Sequence, residues 1–350
     1  MIKILVVEDS PVIRDFLVHI LGYDPELRVI AVARNGEEAV EAARAKRPDV
    51  ITMDIHMPKL NGFESTRRIM ETNPVPIVIV SGSSTAEELS TTFHALESGA
   101  LAVVRRPVGI AHPHHEGMAR ELIQTVKLMS EVKVVRRWPQ TGQRPAGMEG
   151  VSLLKPAEVG IVAIGASTGG PIAIQTILSR LPRQFQAPIL IVQHMAQGFV
   201  HGFAEWLQHS TKLRVSVASH GEVLLPGHVY IAPDGHHTRV SGTGRVLLDK
   251  GEHEGGHRPA VAVLFRSVAE AFGPRAIGVL LTGMGKDGSE ELALLKDRGA
   301  TTLVQKPETC VVAGMPGEAV RRGAAVYVLS PEGIAEAMAA LVKGNSPGKG

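Results

Sequence analysis

The chain has 350 residues, a length that predicts two domains, each large enough to bury its own core. Its 37 basic and 35 acidic side chains leave a formal net charge of +2, which excludes any global pull toward nucleic acid or a membrane surface. A single cysteine, Cys310, rules out an internal disulfide and predicts a reducing, cytoplasmic compartment. The apolar run Ile2–Val7 ends at Glu8 and Asp9, too short for a membrane span.

Aromatic residues make up only 4%, while small aliphatics dominate, a mix suited to buried parallel strands flanked by helices. The first block alternates short apolar runs with helical patterns. Strands are predicted at Ile2–Val7, Arg28–Ala33, Val50–Met53, Ile77–Val80 and Leu101–Val104, with helices over Pro11–Leu21, Gly36–Ala45 and Gly62–Met70. From about Val126 the pattern gives way to a stretch punctuated by Pro139, Gly142, Pro145, Gly147, Gly150 and Pro156. Residues 127–155 carry six basic and two acidic side chains. Proline, glycine and charge together read as an exposed linker over 126–156, with a plain tether as its simplest role. The alternation resumes with strands predicted at Val159–Ile164, Ile189–Gln193, Val229–Ala232, Ile277–Leu281, Thr302–Val304 and Val326–Val328. Both blocks therefore read as α/β, with parallel strands and right-handed crossovers.

In the first block Glu8 and Asp9 end the first strand and Asp54 ends the third. In a doubly wound sheet those strand ends share one edge, where ligands bind. Three converging carboxylates repel one another unless a hard cation neutralises them, and Mg2+ suits such oxygen ligands. Asp54 could then attack a phosphoryl group. Ser81 and Arg106 follow the fourth and fifth strands and bring a hydroxyl and a cation to the same edge. Taken singly, each acid also fits a helix cap; Asp9-Ser10-Pro11 has the form of a helix start.

In the second block the strand Val159–Ile164 runs into Gly165-Ala-Ser167-Thr168-Gly169-Gly170-Pro171 and then a helical stretch to about Leu181, a G-x-S-x-G pattern in a strand–turn–helix setting. The glycines permit the turn, Ser167 projects from its tip, and the helix N-terminus offers N–H groups to a developing oxyanion. A glycine-rich phosphate cradle competes with this reading, although neither a Walker pattern nor an intact G-x-G-x-x-G occurs here. His194 ends the next strand, placed to serve Ser167 as a base. Asp287, in the loop after Ile277–Leu281, is placed to orient the imidazole. A surface histidine and a turn aspartate are the plain alternatives. His112-Pro-His114-His115 and His236-His237 read as solvent-facing or satisfied rather than metal-binding, and Cys310 as a small packed residue.

Two resemblances gather these motifs. Val6-Val-Glu8-Asp9-Ser10, Met53-Asp54-Ile-His-Met-Pro58 with Asn61-Gly62, and Ser81 resemble a response-regulator receiver domain over residues 1–125. That resemblance implies a flavodoxin-like, five-stranded parallel sheet of order 2-1-3-4-5, Asp54 as phosphoacceptor, Mg2+ held by Glu8, Asp9 and Asp54, and Ser81 and Arg106 as sensors of the phosphoryl group. A lysine is usual where Arg106 stands, and the forked head of arginine is not equivalent at a tight phosphate contact. Gly165-Ala-Ser-Thr-Gly-Gly170, Gln193-His-Met195, Pro226–Pro233, Leu281-Thr-Gly-Met-Gly285 with Asp287-Gly288, and Gly314-Met-Pro316 resemble the catalytic domain of the chemotaxis receptor methylesterase (CheB) family over 157–342, leaving 343–350 as a tail.

The second resemblance implies a doubly wound α/β methylesterase domain with a Ser167–His194–Asp287 triad and the Met284 N–H in the oxyanion hole. Elbow geometry adds the Thr168 N–H. It further implies methyl-accepting chemotaxis receptors as substrate, a histidine kinase of CheA type as phosphodonor, and an esterase step that needs no cofactor. Ala260 and Ala262 depart from the serine and aspartate common in the family, and Lys306 from a commonly acidic position. Three rivals stand beside this reading: a non-catalytic binding module, a general small-ester hydrolase, and a transcriptional regulator. The last would carry a small basic helix-turn-helix output in place of this second α/β block.

Overall fold

The structure is a computed structural model that describes residues 1–82, 86–132, 134 and 158–342. The chain divides into two compact units, Met1–Pro145 and Ala146–Gly350. Most of the predicted linker and the predicted 343–350 tail fall outside the described residues. Helix α5 (His115–Ser130) runs a few residues past position 125.

In the first unit β1 (Ile2–Val7), β2 (Leu27–Ala33), β3 (Val50–Met53), β4 (Ile77–Ser81) and β5 (Ala102–Arg105) alternate with α1 (Pro11–Gly22), α2 (Gly36–Lys46), α3 (Gly62–Thr72), α4 (Ala86–Glu97) and α5. The strands form a parallel sheet of order β2-β1-β3-β4-β5, as the receiver resemblance implied. Every residue of β3 and β4 is buried, because helices shield both faces of the sheet; this is why these strands read as continuous apolar runs. The order reverses between β1 and β3, so the segments leaving those strands open onto one crevice. Asn35 and Asn61 fix the starts of α2 and α3 by accepting from the Glu38 and Glu64 N–H groups. Glycine follows Asn61 because a Cβ at Gly62 would fall 2.2 Å from the Asp54 carbonyl oxygen.

The second unit holds a seven-stranded parallel sheet of order β14-β13-β12-β6-β7-β9-β8. Its strands are β6 (Ile161–Ala166), β7 (Ile189–Gln193), β8 (Arg214–Val217), β9 (His228–Ile231), β12 (Ala276–Leu280), β13 (Thr301–Gln305) and β14 (Tyr327–Leu329). An antiparallel hairpin, β10 (His237–Val240) with β11 (Val246–Asp249), forms a separate two-stranded sheet. Helices α6 (Gly170–Arg180), α7 (Val200–Ser210), α8 (Val261–Ala271), α9 (Ser289–Asp297), α10 (Gly314–Arg321) and α11 (Pro331–Leu341) complete the fold. β6, β7 and β12 are buried throughout, and Trp206, Tyr230, Phe203 and Phe265 are the largest fully buried side chains. Strand succession runs one way from β6 to β7 and the other way from β12 to β13, so the switch point lies between β6 and β12.

All six strands predicted for this unit are present. β8 and the hairpin were not predicted, for a physical reason. β8 (Arg-Val-Ser-Val) sits at the sheet edge with no fully buried residue, and β10 mixes His, Thr and Arg with one valine. Neither offers the apolar run that marks a central strand. Among the described residues no helix is long and apolar enough to cross a membrane.

Candidate active site and receiver pocket

Ser167 stands one residue past β6, on the turn into α6. Its N–H donates to the Thr282 carbonyl at 3.0 Å, and its own carbonyl accepts from Gly170 N–H at 2.8 Å. Gly169 carries φ +79°, the left-handed conformation such a turn needs and L side chains avoid. The amide of Gln193, at the end of β7, donates to the Ser167 carbonyl at 2.8 Å and to the His194 carbonyl at 2.7 Å. A Cβ on Gly170 would fall 2.0 Å from Gln193 Oε1, so the glycine there makes room for the brace. Thr282 completes it. Its hydroxyl donates to the Thr168 carbonyl at 2.9 Å, and its N–H donates to Gln305 Oε1 at 2.9 Å. The role of Gln193, Thr282 and Gln305 was not legible from the motif, because glutamine and threonine at strand ends carry no signal for which backbone carbonyl they will meet.

The parallel register pairs Ala166 with Gln193, and the ladder continues through the His194 N–H to the Ala166 carbonyl at 2.9 Å. Ser167 and His194 therefore leave neighbouring strands side by side. The His194 Nε2 lies 3.0 Å from Asp287 Oδ2, with both side chains almost wholly buried. That separation is a hydrogen-bond length, although neither ring nitrogen completes a hydrogen bond by angle.

Asp287 is held from behind. Its Oδ2 accepts from Val261 N–H at 2.7 Å and its Oδ1 from Ala262 N–H at 3.0 Å, both in the first turn of α8. Burial pushes this carboxyl up, but His194 and the two backbone donors outweigh burial and hold it below the ordinary carboxylate range. The departures at Ala260 and Ala262 leave these contacts to Asp287 unaffected, since they come from the α8 backbone.

Gly283 brings the β12 loop against the serine: a Cβ there would lie 2.7 Å from Ser167 Cβ. Among the described residues the Thr168 and Met284 N–H groups meet no protein acceptor, which leaves both for a ligand oxygen. Met284 itself is 55% exposed at the rim.

In the first unit the structure brings Glu8, Asp9 and Asp54 together, with one oxygen of each within 4.8 Å of the others. Glu8 is 1% exposed, and its Oε2 has no hydrogen-bond partner. Burial, and then repulsion from Asp54, push the Glu8 carboxyl up to about 7; burial likewise raises Asp54. A buried, unpartnered oxygen among crowded carboxylates fits a hard cation. Arg106 donates its N–H to the Ser81 carbonyl at 2.8 Å, and its guanidinium comes to 4.0 Å from Glu8 Oε2. Glycine at position 82 makes room for the forked head, since a Cβ there would fall 2.1 Å from Arg106 Nη2. Ser81 is buried at the end of β4, its hydroxyl 3.4 Å from that of Thr92.

The weaker sequence candidates take structural roles. His115 Nδ1 pairs with the Val108 carbonyl at 2.7 Å, and His237 is buried with Nε2 2.7 Å from the Glu252 carbonyl. Burial drives the Cys310 thiol up to about 12, far from a reactive thiolate.

Serine, imidazole and carboxylate at a switch point, joined in one chain to a carboxylate pocket on a second doubly wound sheet, define a two-domain hydrolase with a receiver. Known proteins agree. Residues 162–338 match the family described as CheB methylesterase, and residues 4–115 match the response regulator receiver domain. The chain is 56% identical over 345 residues to a protein-glutamate methylesterase/protein-glutamine glutaminase of Nitrosospira multiformis, covering 98% of this chain and 97% of that protein. It is 52% identical to a like-named protein of Syntrophus aciditrophicus, covering 99% of this chain and all of that one. The crystal structure of the Thermotoga maritima CheB methylesterase catalytic domain aligns with a TM-score of 0.51 at 41% identity, covering 52% of this chain and 98% of that one. The chain belongs to the CheB family of protein-glutamate methylesterases/protein-glutamine glutaminases.

Proposed function

We propose that the chain hydrolyses glutamate methyl esters, and deamidates glutamines, on methyl-accepting chemotaxis receptors, with Ser167 as nucleophile. The carrying observation is the buried His194–Asp287 pair at 3.0 Å beside the braced Ser167 turn. Because Nε2 faces Asp287, Nδ1 is the nitrogen left to take the Ser167 proton. Ser167 Oγ attacks the side-chain carbonyl, and the Thr168 and Met284 N–H groups receive the oxyanion. Collapse expels methanol, or ammonia from glutamine, with the proton returned by His194. Water, deprotonated by the same imidazole, cleaves the acyl-enzyme to glutamate and frees Ser167. Asp287 stays ionised and stabilises the imidazolium.

In the receiver, Glu8, Asp9 and Asp54 would hold Mg2+, whose charge neutralises the pocket and the incoming phosphoryl group. Asp54 accepts that group from a histidine kinase of CheA type, and Ser81 and Arg106 read it. Phosphorylation adds charge to the pocket and relieves inhibition by the receiver. The protein acts in the cytoplasm and touches no nucleic acid.

Mass spectrometry of methylated receptor peptides, incubated with and without a small phosphodonor, tests both parts. Wild-type protein removes the methyl group faster with phosphodonor, Asp54→Asn loses that response, and Ser167→Ala removes none. Demethylation by Ser167→Ala at the wild-type rate would overturn the catalytic assignment. Removing residues 1–125 raises basal activity if the receiver inhibits, and an unchanged rate refutes inhibition.

A further inference from the structure

The His194 ring carries a contact that the triad does not need. His257 lies flat against it, with ring centroids 3.8 Å apart and planes within 7°. His257 is set by a built strap, residues 250–260. Glu254 and His257 exchange backbone hydrogen bonds at 3.1 and 3.0 Å across Gly255-Gly256, whose φ values of +59° and +86° give the two-glycine turn that closes tight hairpins. Arg266, on α8, grips both oxygens of Glu254 and donates at 2.9 Å to Glu291 on α9. Arg258 Nη1 closes the strap on the Gly251 carbonyl at 2.9 Å, and buried His237 holds the Glu252 carbonyl on one side and the Ala260 N–H on the other.

We infer that His257 is a positioning residue for the His194 base: an aromatic plate, clamped through Arg266, that keeps one edge of the His194 ring on Asp287 and the other free for Ser167. The inference rests on reading Ser167, His194 and Asp287 as the catalytic set. The rotation of an imidazole about its outer torsion is broad, and neither nitrogen of His194 completes a hydrogen bond that would fix it. A flat partner against the ring face supplies the missing restraint. The charged and titratable groups facing His257 are His194, Asp287 and His253. Burial and then His194 push His257 down to about 4, with Asp287 pulling the other way and His253 adding to the fall. Near neutral pH the plate is uncharged and does not repel the imidazolium that catalysis forms on His194.

The test uses the full chain and a fluorophosphonate, whose labelling rate at Ser167, located by peptide mapping, reads nucleophile activation without a receptor. Over about pH 5 to 9, His257→Ala labels about tenfold more slowly than wild type. His257→Phe, a flat ring that does not titrate, restores labelling to within about threefold of wild type. Arg266→Met slows labelling, and adds little in the His257→Ala background because both act through one ring. Labelling of His257→Ala at the wild-type rate, or of His257→Phe as slowly as His257→Ala with both melting as wild type, overturns the inference. If His257→Ala does not fold, His257→Leu, which fills the space without a flat ring, is read in its place against the same outcomes. Labelling that persists in Ser167→Ala refutes the triad reading instead, so the two failures are distinct.

Discussion

At the switch point of the five-stranded sheet three carboxylates meet, and Glu8 Oε2 is buried with no hydrogen-bond partner. At the switch point of the seven-stranded sheet a single carboxylate, Asp287, is met by two backbone N–H groups and an imidazole. Topology places both crevices by the same rule, yet the balance of charge is opposite. Burial wins at Glu8 and Asp54 and raises them, whereas donors win at Asp287 and lower it. The first crevice crowds carboxylates together without enough donors to offset their burial. In the second, the one carboxylate already has its donors from the α8 backbone. The two crevices differ in whether burial or hydrogen-bond donors govern the carboxylates they hold.

The sharpest way to break this comparison is to unpair the second crevice. Asp287→Asn keeps the shape but removes the charge that supports the imidazolium, and kcat for methanol release from a methylated peptide is expected to fall by about 10³-fold or more. A fall of less than tenfold would mean that Asp287 is only a structural acceptor for α8. Next, Gly170→Ala drives a Cβ against Gln193 Oε1 and Ala166 Cβ, at 2.0 and 2.8 Å. It is expected to cost about 2–3 kcal/mol in urea unfolding and to slow turnover by loosening the Ser167 carbonyl. Unchanged stability would show that the brace is slack.

The first crevice predicts the reverse response to charge removal. A carboxyl raised in the folded state holds its proton more tightly there than in the unfolded chain. Its contribution to stability is therefore lost as pH rises from the unfolded value, near 4.5, through about 7. In chelator at about pH 8, Glu8→Gln is expected to stabilise the full chain by about 2 kcal/mol, with no gain at about pH 4. Destabilisation at pH 8 would contradict the reading of an unsatisfied pocket. Asp287, held low, behaves oppositely: its contribution is present above the ordinary aspartate range and lost as pH falls through the lowered value. The smallest effect is expected at Cys310. With its thiol pushed to about 12, Cys310→Ala changes turnover less than about twofold and stability by about 1 kcal/mol or less. Inhibition of the wild type by iodoacetamide would refute it.

Both crevices were legible in the sequence because their residues sit where apolar runs stop: Glu8 and Asp9 after β1, Asp54 after β3, Ser167 after β6 and His194 after β7. A buried parallel strand announces its own carboxyl end, and the next polar residue falls on the ligand edge. Asp287 was readable for the same reason, through the glycine-rich loop after β12. Residues that act through folded proximity were hidden. Gln193, Thr282 and Gln305 form a brace only once three strands lie in register. His257 lies three positions before Ala260, yet nothing in its spacing points at His194; the Gly255-Gly256 pair was the one local hint of a turn that would aim it. Edge strand β8 and the β10–β11 hairpin were missed because half-exposed strands alternate weakly over four residues.

The central claim is that Ser167 becomes acylated by a glutamyl side chain. Rapid quenching of the full chain with a methylated receptor peptide, followed by peptide mapping of the covalent adduct, tests it most directly. The expected result is an ester-linked glutamyl adduct on Ser167 that forms before glutamate appears and is absent in Ser167→Ala. Glutamate released at the wild-type rate by Ser167→Ala, or an adduct mapped to any other residue, would contradict it.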